Sequence, residues 1–261
     1  MVEPLRTVRA LRYVVPLREG GSLPGLVEAD DDGTYVVKFR GAGQGTRALV
    51  AELLVGELAR ALGLPVPELV LLQLDAGLAP AEPDQEIQDL LRSSVGINVG
   101  MDYLPGSITL DPTVDPIDPA LAARVVWLDA FVDDVDRTWR NPNLLVWHGR
   151  PWLIDHGAAL WWHHTWRALD AAVSRPLREG DQHVLLRVAG SLADADAELA
   201  PQVSAELLHD LLRLVPEDWL VAGGPFSSAD EAGRAYVDLL LRRLATRRSW
   251  LEPLEVTRAV R

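Results

Sequence analysis

The sequence predicts an α+β fold in which a β-rich N-terminal part precedes a helical C-terminal part. Short apolar runs separated by turn residues fill residues 11–40, which is typical of strands. From about residue 168 onward, apolar residues recur at helical spacing. A chain of 261 residues can bury a core without disulfide or metal support. No internal repeat is visible, and the length is compatible with one domain or with two lobes.

Turn residues between apolar runs define the N-terminal elements. The DDDG turn at residues 30–33 separates LVEA from TYVVKFR and predicts a hairpin. Residues 46–62 predict a helix, which ends at a C-cap glycine, Gly63. Residues 68–74 predict a buried strand, and residues 95–107 predict a strand that runs into a loop.

The C-terminal part begins after a stretch rich in proline and aspartate. Residues 120–135, ALAARVVWLDAFVDDV, predict an apolar helix, and the polar loop DRTWRNPN follows it. The runs LLVWH and PWLID, joined by GR, predict a hairpin. After residue 168 we expect mostly helices, with breaks near Gly190, Pro216 and residues 223–228.

Composition excludes several classes of protein. The absence of cysteine excludes disulfide scaffolds, thiol catalysis and cysteine-ligated metal sites. A net charge of −13 disfavours binding to nucleic acid or to an anionic membrane. No apolar run reaches the roughly 18 residues of a membrane span, and the first residues lack a signal-peptide core. We therefore expect a cytoplasmic protein without nucleic-acid or membrane partners.

Lys38 is the single lysine in a chain with 24 arginines. Arginine carries a planar fork, whereas lysine carries a compact ammonium on a flexible stem. Lys38 lies in a predicted strand upstream of a helix that carries Glu52 among small apolar neighbours. Because a buried carboxylate needs a partner, Glu52 is the candidate partner of Lys38. Glu57 on the same helix is the alternative.

Three polar side chains stand at the ends or bends of the predicted elements after residue 133. Asp136 and Asn141 share one loop, and Asp155 ends the hairpin that follows. Phosphoryl transfer needs a carboxylate that orients a hydroxyl, oxygen ligands for Mg²⁺ and a cation on the phosphates. Carboxylate and amide oxygens suit Mg²⁺, so Asp155 and Asn141 are candidate ligands. The spacing therefore points to phosphoryl transfer.

The segment DRTWRN, from Asp136 to Asn141, with the following NPNLLVWHGRPWLIDHGAAL resembles HipA-like kinases of the compact actinobacterial type. The resemblance implies a two-lobed protein-kinase-like fold that uses ATP and Mg²⁺. It implies that Asp136 is the catalytic base and that Asn141 and Asp155 hold the metal. It further implies one kinase domain over residues 1–261, with an N-lobe at about 1–100, a hinge at about 101–106 and a C-lobe at about 107–261.

The resemblance extends upstream, over roughly residues 12–165. It implies that Lys38 contacts the α- and β-phosphates, that Glu52 holds Lys38, and that adenine docks on backbone at the hinge. The hinge residues would be Met101, Asp102, Tyr103 and Leu104. The sequence departs from the family pattern at His156, which replaces the Phe of DFG, and no His precedes Arg137. No extended N-terminal domain of full HipA toxins is present, so a toxin role does not follow.

Two glycine-rich loops are candidates for covering the phosphates. Gly20, Gly21 and Ser22 lie between two predicted strands, where backbone N–H groups can approach a phosphate closely. Residues 41–45, GAGQG, precede a helix N-terminus, which also suits anions. The first loop is the favoured one.

The tryptophan-rich segment 158–166 admits two interpretations. Seven of the nine tryptophans lie between residues 127 and 166, so most of them are expected in the core under the catalytic loop. The alternative is an aromatic surface that binds the acceptor.

We expect an ATP- and Mg²⁺-dependent kinase that phosphorylates Ser or Thr on a protein. The alternatives are a non-catalytic nucleotide-binding pseudokinase, a small-molecule kinase of the same superfamily and an interaction protein with an aromatic surface. The acceptor and the oligomeric state do not follow from the sequence.

Overall fold

The computed structural model describes residues 2–17 and 23–260. Within these residues eight strands form a five-stranded barrel and a three-stranded sheet. In chain order the strands are β1 Thr7–Pro16, β2 Gly25–Ala29, β3 Thr34–Lys38, β4 Leu69–Leu74, β5 Gly96–Asp102, β6 Ile108–Thr109, β7 Leu144–Trp147 and β8 Arg150–Leu153.

Nine α-helices lie in the described part of the chain, seven of them after the barrel strands. They are α1 Thr46–Ala61, α2 Gln85–Ser93, α3 Pro119–Val132, α4 Leu169–Ser174, α5 Leu192–Leu199, α6 Ala205–Leu212, α7 Glu217–Val221, α8 Ala229–Ala245 and α9 Arg248–Val260. Short 3₁₀ helices cover Ala76–Ala81, Trp161–His164, Gly180–Gln182 and Ala200–Gln202. None of the described helices is long and apolar enough to cross a membrane.

The N-terminal strands close into a barrel in the order β1-β2-β3-β5-β4. All neighbouring pairs are antiparallel except β1 and β4, which pair in parallel and complete the ring. Strand β3 therefore lies between β2 and β5, with Lys38 opposite Val99. Since β3 is hydrogen-bonded on both sides, the barrel fixes where its last residue, Lys38, stands.

Helix α1 is buried on nearly all sides. Eleven of its sixteen residues are buried, including Glu52 and Glu57. The helix contacts β4 and β5 of the barrel on one side and α6 and α7 on the other. Gly56 permits this packing, because a Cβ there would fall 2.7 Å from a methyl of Leu69. The helix is thus held between the two parts of the molecule.

Helix α3 is the central element of the helical part, with ten of its fourteen residues buried. Asp118 caps its N-terminus by accepting a hydrogen bond from Leu121 N, and Pro119 occupies its first position. The rings of Trp127, Phe131 and Trp250 pack together around it, with centroids 5.3–6.2 Å apart. The predicted β-rich and helical parts are both confirmed. The lobe limits and the single domain stay predictions.

Arg243 on α8 ties three helical segments together from inside the core. Its guanidinium is fully buried and donates to the carbonyls of Ala130 and Phe131 at 2.6 and 2.8 Å. It also donates to Ala172 and Arg175 at 2.5 and 3.1 Å. One side chain therefore satisfies the carbonyls at the end of α3 and around α4.

Replacing Arg243 with Met should destabilise the fold strongly, because it leaves buried carbonyls without donors. We expect a loss of about 3 kcal/mol or more in the free energy of unfolding, measured by urea denaturation. Arg242→Met is the matched control, since Arg242 pairs with Asp170 and Asp238 at the surface. It should cost less than about 1 kcal/mol. Equal losses in the two variants would refute the assigned role of Arg243.

Candidate active site

Lys38, Glu52 and Asp155 meet where β3, α1 and the end of the β7–β8 hairpin come together. The Lys38 ammonium forms an ion pair with Asp155 Oδ1 in close contact and lies 3.7 Å from Glu52 Oε2. Lys38 is largely buried, with 11% of its side chain exposed, and Glu52 is buried at 2%. The structure thus selects Glu52 over Glu57 as the neighbour of Lys38. Glu57 instead forms an ion pair with Arg60.

The ionisation of this trio is set by burial and mutual charge. Burial alone would lower the pKa of Lys38, but the Glu52 and Asp155 carboxylates reverse this and raise it. Burial raises the pKa of Glu52, and Lys38 offsets only part of that rise. Burial by itself would raise the pKa of Asp155. The Lys38 charge outweighs burial and holds that pKa below its ordinary value. An ionised Asp155 beside a charged Lys38 is therefore the stable arrangement near neutral pH.

Asp136 lies in the loop after α3 and is half-buried. Asn141 Nδ2 donates to its Oδ2 at 2.7 Å, and Asn143 Nδ2 lies 3.5 Å from the same oxygen. Asn143 Nδ2 also lies 3.5 Å from the carbonyl of Asp155. These amides orient the carboxylate through Oδ2, so Oδ1 is the oxygen left for a hydroxyl. Burial raises the pKa of Asp136, which strengthens it as a base.

Arg137 is fully buried and braces the loop from below. Its Nε donates to Asp129 Oδ2 at 2.6 Å, and its Nη1 donates to the carbonyl of Asn143 in a short hydrogen bond. Nη1 also lies 3.4 Å from the carbonyl of Ile154, and Nη2 lies 3.3 Å from His156 Nδ1. The fork therefore joins α3, the catalytic loop and the strand before Asp155. Because it is buried, Arg137 steadies the loop and does not reach a transferred phosphoryl group.

The His156 ring occupies a buried position between α1 and the catalytic loop. Burial, reinforced by the nearby Arg137 charge, lowers the pKa of His156 to about 3, so the ring is neutral. The backbone N–H groups of His156 and Gly157 hydrogen-bond the Glu52 carboxylate. The neutral ring therefore belongs to the packing of the site, and the residue holds Glu52 through its backbone.

Asp129, Asp134 and His183 are part of the site that the sequence interpretation missed. His183 Nδ1 accepts from Leu185 N, so Nε2 carries the proton and donates to Asp129 Oδ2 at 2.9 Å. Asp134 Oδ1 accepts from Asp136 N at 3.1 Å, while its Oδ2 lies 3.9 Å from Arg137 Nη2 and accepts no hydrogen bond from the described residues. The DDVD run of acids was the available signal for Asp134, whereas no local pattern marks Asp129 or His183.

The residues available for a metal supply hard oxygen donors. Asn141 uses its amide nitrogen on Asp136, which leaves its carbonyl oxygen unused, and Asp155 Oδ2 is free of Lys38. No group of three acidic or histidine side chains in residues 2–17 and 23–260 gathers closely enough to hold a metal alone. Two oxygen ligands completed by water and phosphate are what Mg²⁺ takes in nucleotide sites. The donor set therefore fits Mg²⁺ bound together with a nucleotide.

The remaining sequence candidates fall at different places. Gly20, Gly21 and Ser22 lie outside the described residues. Gly41 packs against α2, because a Cβ at this position would clash with Ser93 Oγ. This packing explains the glycine without any need for a bound phosphate. At the hinge, Met101 and Asp102 end β5, while Tyr103 and Leu104 follow it.

The hinge backbone is partly engaged within the barrel. Asp102 N donates to the carbonyl of Glu68 at 2.8 Å, and Tyr103 N donates to that of Thr34 at 3.0 Å. Adenine docking at this hinge stays a prediction. It would have to use backbone groups other than these two N–H donors.

The tryptophan-rich segment 158–166 is mainly core. The Trp162 and His163 side chains are buried, and His163 Nδ1 lies 2.9 Å from the Tyr236 hydroxyl. Trp166 packs edge-on against Phe226 with centroids 4.6 Å apart. Trp161 is half-buried beneath Arg178, whose guanidinium lies 5.3 Å from the ring. Trp161 and Trp166 are both half-buried, so the segment offers aromatic surface only through parts of these two rings.

A groove of about 350 Å³ lies beside the catalytic loop. Thr138, Trp139 and Arg140 form one wall, and residues 179–182 form the other. The two walls are joined by a bridge between Thr138 and His183, and by Val184 N donating to the carbonyl of Arg137 at 3.2 Å. The loop that carries Asp136 therefore opens onto a groove of fixed shape, which we call the loop groove.

Comparison with known proteins shows the fold and the family of the chain. The fold is that of the two-lobed kinases: the chain is similar to the Helicobacter pylori proinflammatory kinase CtkA, with a TM-score of 0.54 and 15% identity over 98% of this chain and 99% of that one. It is also similar to the golgi casein kinase, with a TM-score of 0.48 and 13% identity over 97% and 72% of the two chains. A search of curated proteins gave no match. The model of the HipA-like kinases matches residues 12–252, and the chain belongs to that family.

Asp134 gives the site a distinctive dependence on pH. Burial, followed by repulsion from Asp129, raises the pKa of Asp134 to about 8. In the unfolded chain the pKa of an aspartate is about 3.9. Between pH 4 and pH 8 the folded chain therefore binds one more proton than the unfolded chain. The free energy of unfolding falls as the pH rises from about 4 to 8.

The Asp134→Asn variant should keep the acceptor for Asp136 N while removing this pH dependence. Its stability relative to wild type should rise between pH 4 and pH 8, by up to about 5 kcal/mol. Urea denaturation across that range measures the difference. The matched control is Asp75→Asn, which makes the same chemical change at an exposed position away from the site. A flat difference for Asp134→Asn would show that Asp134 is ionised throughout.

Proposed function

We propose that this chain is an ATP- and Mg²⁺-dependent phosphotransferase that phosphorylates Ser or Thr on a protein. The observation that carries the proposal is the convergence of Lys38, Asp155, Asn141 and Asp136 from three separate elements on one site. Membership of the HipA-like kinase family supports the same reaction class. Serine or threonine as the acceptor rests on the likeness to kinases and on the open loop groove.

Each residue has a role that follows from its surroundings. The Lys38 ammonium, held by Glu52, neutralises charge on the α- and β-phosphates. Asn141 and Asp155 would hold Mg²⁺, which would supply positive charge beside the phosphates. Asp136 Oδ1 orients the acceptor hydroxyl and takes its proton as the new bond to phosphorus forms.

The Lys38–Asp155 ion pair must rearrange when nucleotide binds. Asp155 Oδ1 is paired with the Lys38 ammonium, which would otherwise contact the phosphates. Phosphate oxygens can replace this carboxylate as the partner of Lys38, which would leave Asp155 available as a metal ligand. The barrel fixes the Lys38 backbone on both sides, so the movement falls on Asp155, whose φ is +56°. Such a backbone conformation is uncommon outside glycine and is found at functional sites.

Replacing Asp136 with Asn should abolish transfer while leaving the nucleotide bound. Loss of the base should reduce the rate by about 10²–10⁴-fold, measured as label passing from γ-labelled ATP to proteins of a cell lysate. The Kd for ATP·Mg²⁺ should change by only a few fold, because Lys38, Asn141 and Asp155 are left unaltered. Asp75→Asn is the control and should retain full transfer.

Other outcomes of this assay separate the alternatives. Label on a metabolite and not on protein would identify a small-molecule kinase. Binding of ATP without transfer by the wild type would identify a pseudokinase. Undiminished transfer by Asp136→Asn would remove Asp136 from the mechanism.

The loop groove is the proposed place of the acceptor. Trp139 offers an indole wall next to Thr138, whose N–H donates to the carbonyl of Asp136 at 2.9 Å. Arg187 lies 5.7 Å from the centre of that ring and fixes its position. An acceptor chain lying in the groove is therefore carried to the catalytic carboxylate.

Replacing Trp139 with Ala should raise the KM for the acceptor at least about fivefold through lost contact, while the KM for ATP is unchanged. Steady-state kinetics with the labelled acceptor measure both constants. Trp161→Ala is the control, because Trp161 is a half-buried tryptophan of segment 158–166 outside the groove. A rise in acceptor KM for Trp161→Ala alone would move the acceptor to that segment.

A further inference from the structure

A second and larger cavity lies behind α1, away from Lys38. It has a volume of about 670 Å³ and is bounded by the N-terminal residues 2–6, the C-terminal half of α1, the start of β4 and helix α6. Ligand pockets for small molecules fall in this size range. We call it the rear cavity.

The lining of the rear cavity is anionic. Five carboxylates face two guanidiniums, which gives a net charge of −3; the acids are Glu3, Glu57, Glu68, Glu206 and Asp210, and the bases are Arg6 and Arg60. Both bases are already engaged, since Arg6 pairs with Glu68 at 2.9 Å and Arg60 with Glu57 at 3.3 Å. No cation of the described residues pairs with Glu3 or Glu206. Asp210 pairs with Arg213 at 2.6 Å, outside the lining, so the unpaired negative charge of the cavity rests on Glu3 and Glu206.

Glu57 shows that hydrogen-bond donors are missing as well. Its side chain is nine-tenths buried, and Oε1 receives no hydrogen bond from the described residues. The contact with Arg60 Nε is an ion pair without hydrogen-bond geometry. Burial raises the pKa of Glu57, as expected for a carboxylate with too few donors. An unsatisfied buried group calls for a partner, and Glu57 lines the cavity from which one can come.

The spread of the charges decides the kind of cation. No group of three acidic or histidine side chains in the described ranges is compact enough for a metal ion, so the negative charge is distributed along the walls. Leu5, Leu69 and Leu207 supply apolar surface to the same cavity. A ligand with several ammonium groups joined by methylene chains matches both features, because ammonium groups donate to carboxylates and methylenes cover leucine.

We propose that the rear cavity binds an aliphatic polyamine, with one ammonium group donating to Glu57. The ligand contacts α1 and α6 together, and α1 is the helix that carries Glu52 on its other side. The site is separate from the phosphate site, so binding does not depend on phosphotransfer.

Isothermal titration calorimetry with spermidine on the full chain tests this proposal. The titration contains no nucleotide and uses 150 mM salt, which screens diffuse counterion binding to the acidic surface. We expect one saturable site per chain, with butylamine binding at least tenfold more weakly because it carries a single ammonium. A failure of kinase activity leaves this result untouched.

Variants identify the cavity as the site. Glu57→Gln should weaken spermidine binding at least tenfold, and Glu206→Lys, which places a cation on the wall, should do the same without altering a buried group. Glu86→Gln on α2 is the matched control, because Glu86 is exposed and lies outside the cavity, and its affinity should equal that of wild type. Absence of saturable binding, or equal affinity in Glu57→Gln and wild type, would overturn the proposal. So would binding of a lysine-rich peptide but not of spermidine.

Discussion

The buried ion pair between Arg137 and Asp129 holds the functional part of this molecule together. Both side chains are fully excluded from water, and each buried charge is stable only while its partner is also charged. From this pair, hydrogen bonds extend to the carbonyls of Asn143 and Ile154 and to His183. The loop that carries Asp136, the strand before Asp155 and one wall of the loop groove are thus fixed relative to one another by this one ion pair.

A second constraint is the excess of negative charge around one ammonium. Glu52, Asp155 and Asp136 all act on the Lys38 charge, and burial makes each interaction stronger than it would be in water. Backbone N–H groups, such as those of His156 and Gly157 beside Glu52, also stabilise the negative charge of these carboxylates. A polyphosphate with its metal adds charges of both signs to this cluster.

Much of the fold was predictable because its signals are local. The DDDG turn, Gly63 and the apolar run of α3 all lie beside the elements they define, and the structure confirms the hairpin and both helices. The pairing of β1 with β4 in parallel was not predictable, because it depends on barrel closure across the chain. The same holds for the site. The spacing of Asp136, Asn141 and Asp155 along the chain was sufficient to predict them. Asp129 and His183 are 54 residues apart and meet only through tertiary packing.

The single lysine has a chemical consequence beyond phosphate binding. Lys38 is the only side-chain amine in the 261 residues, and it is buried between two carboxylates. Reagents and enzymes that acylate amines need a neutral, accessible nitrogen, and the raised pKa of Lys38 keeps this one protonated. The folded chain therefore offers almost no lysine chemistry at its surface. A chemical label on lysine can therefore attach only when the site around Lys38 opens, so labelling measures that opening.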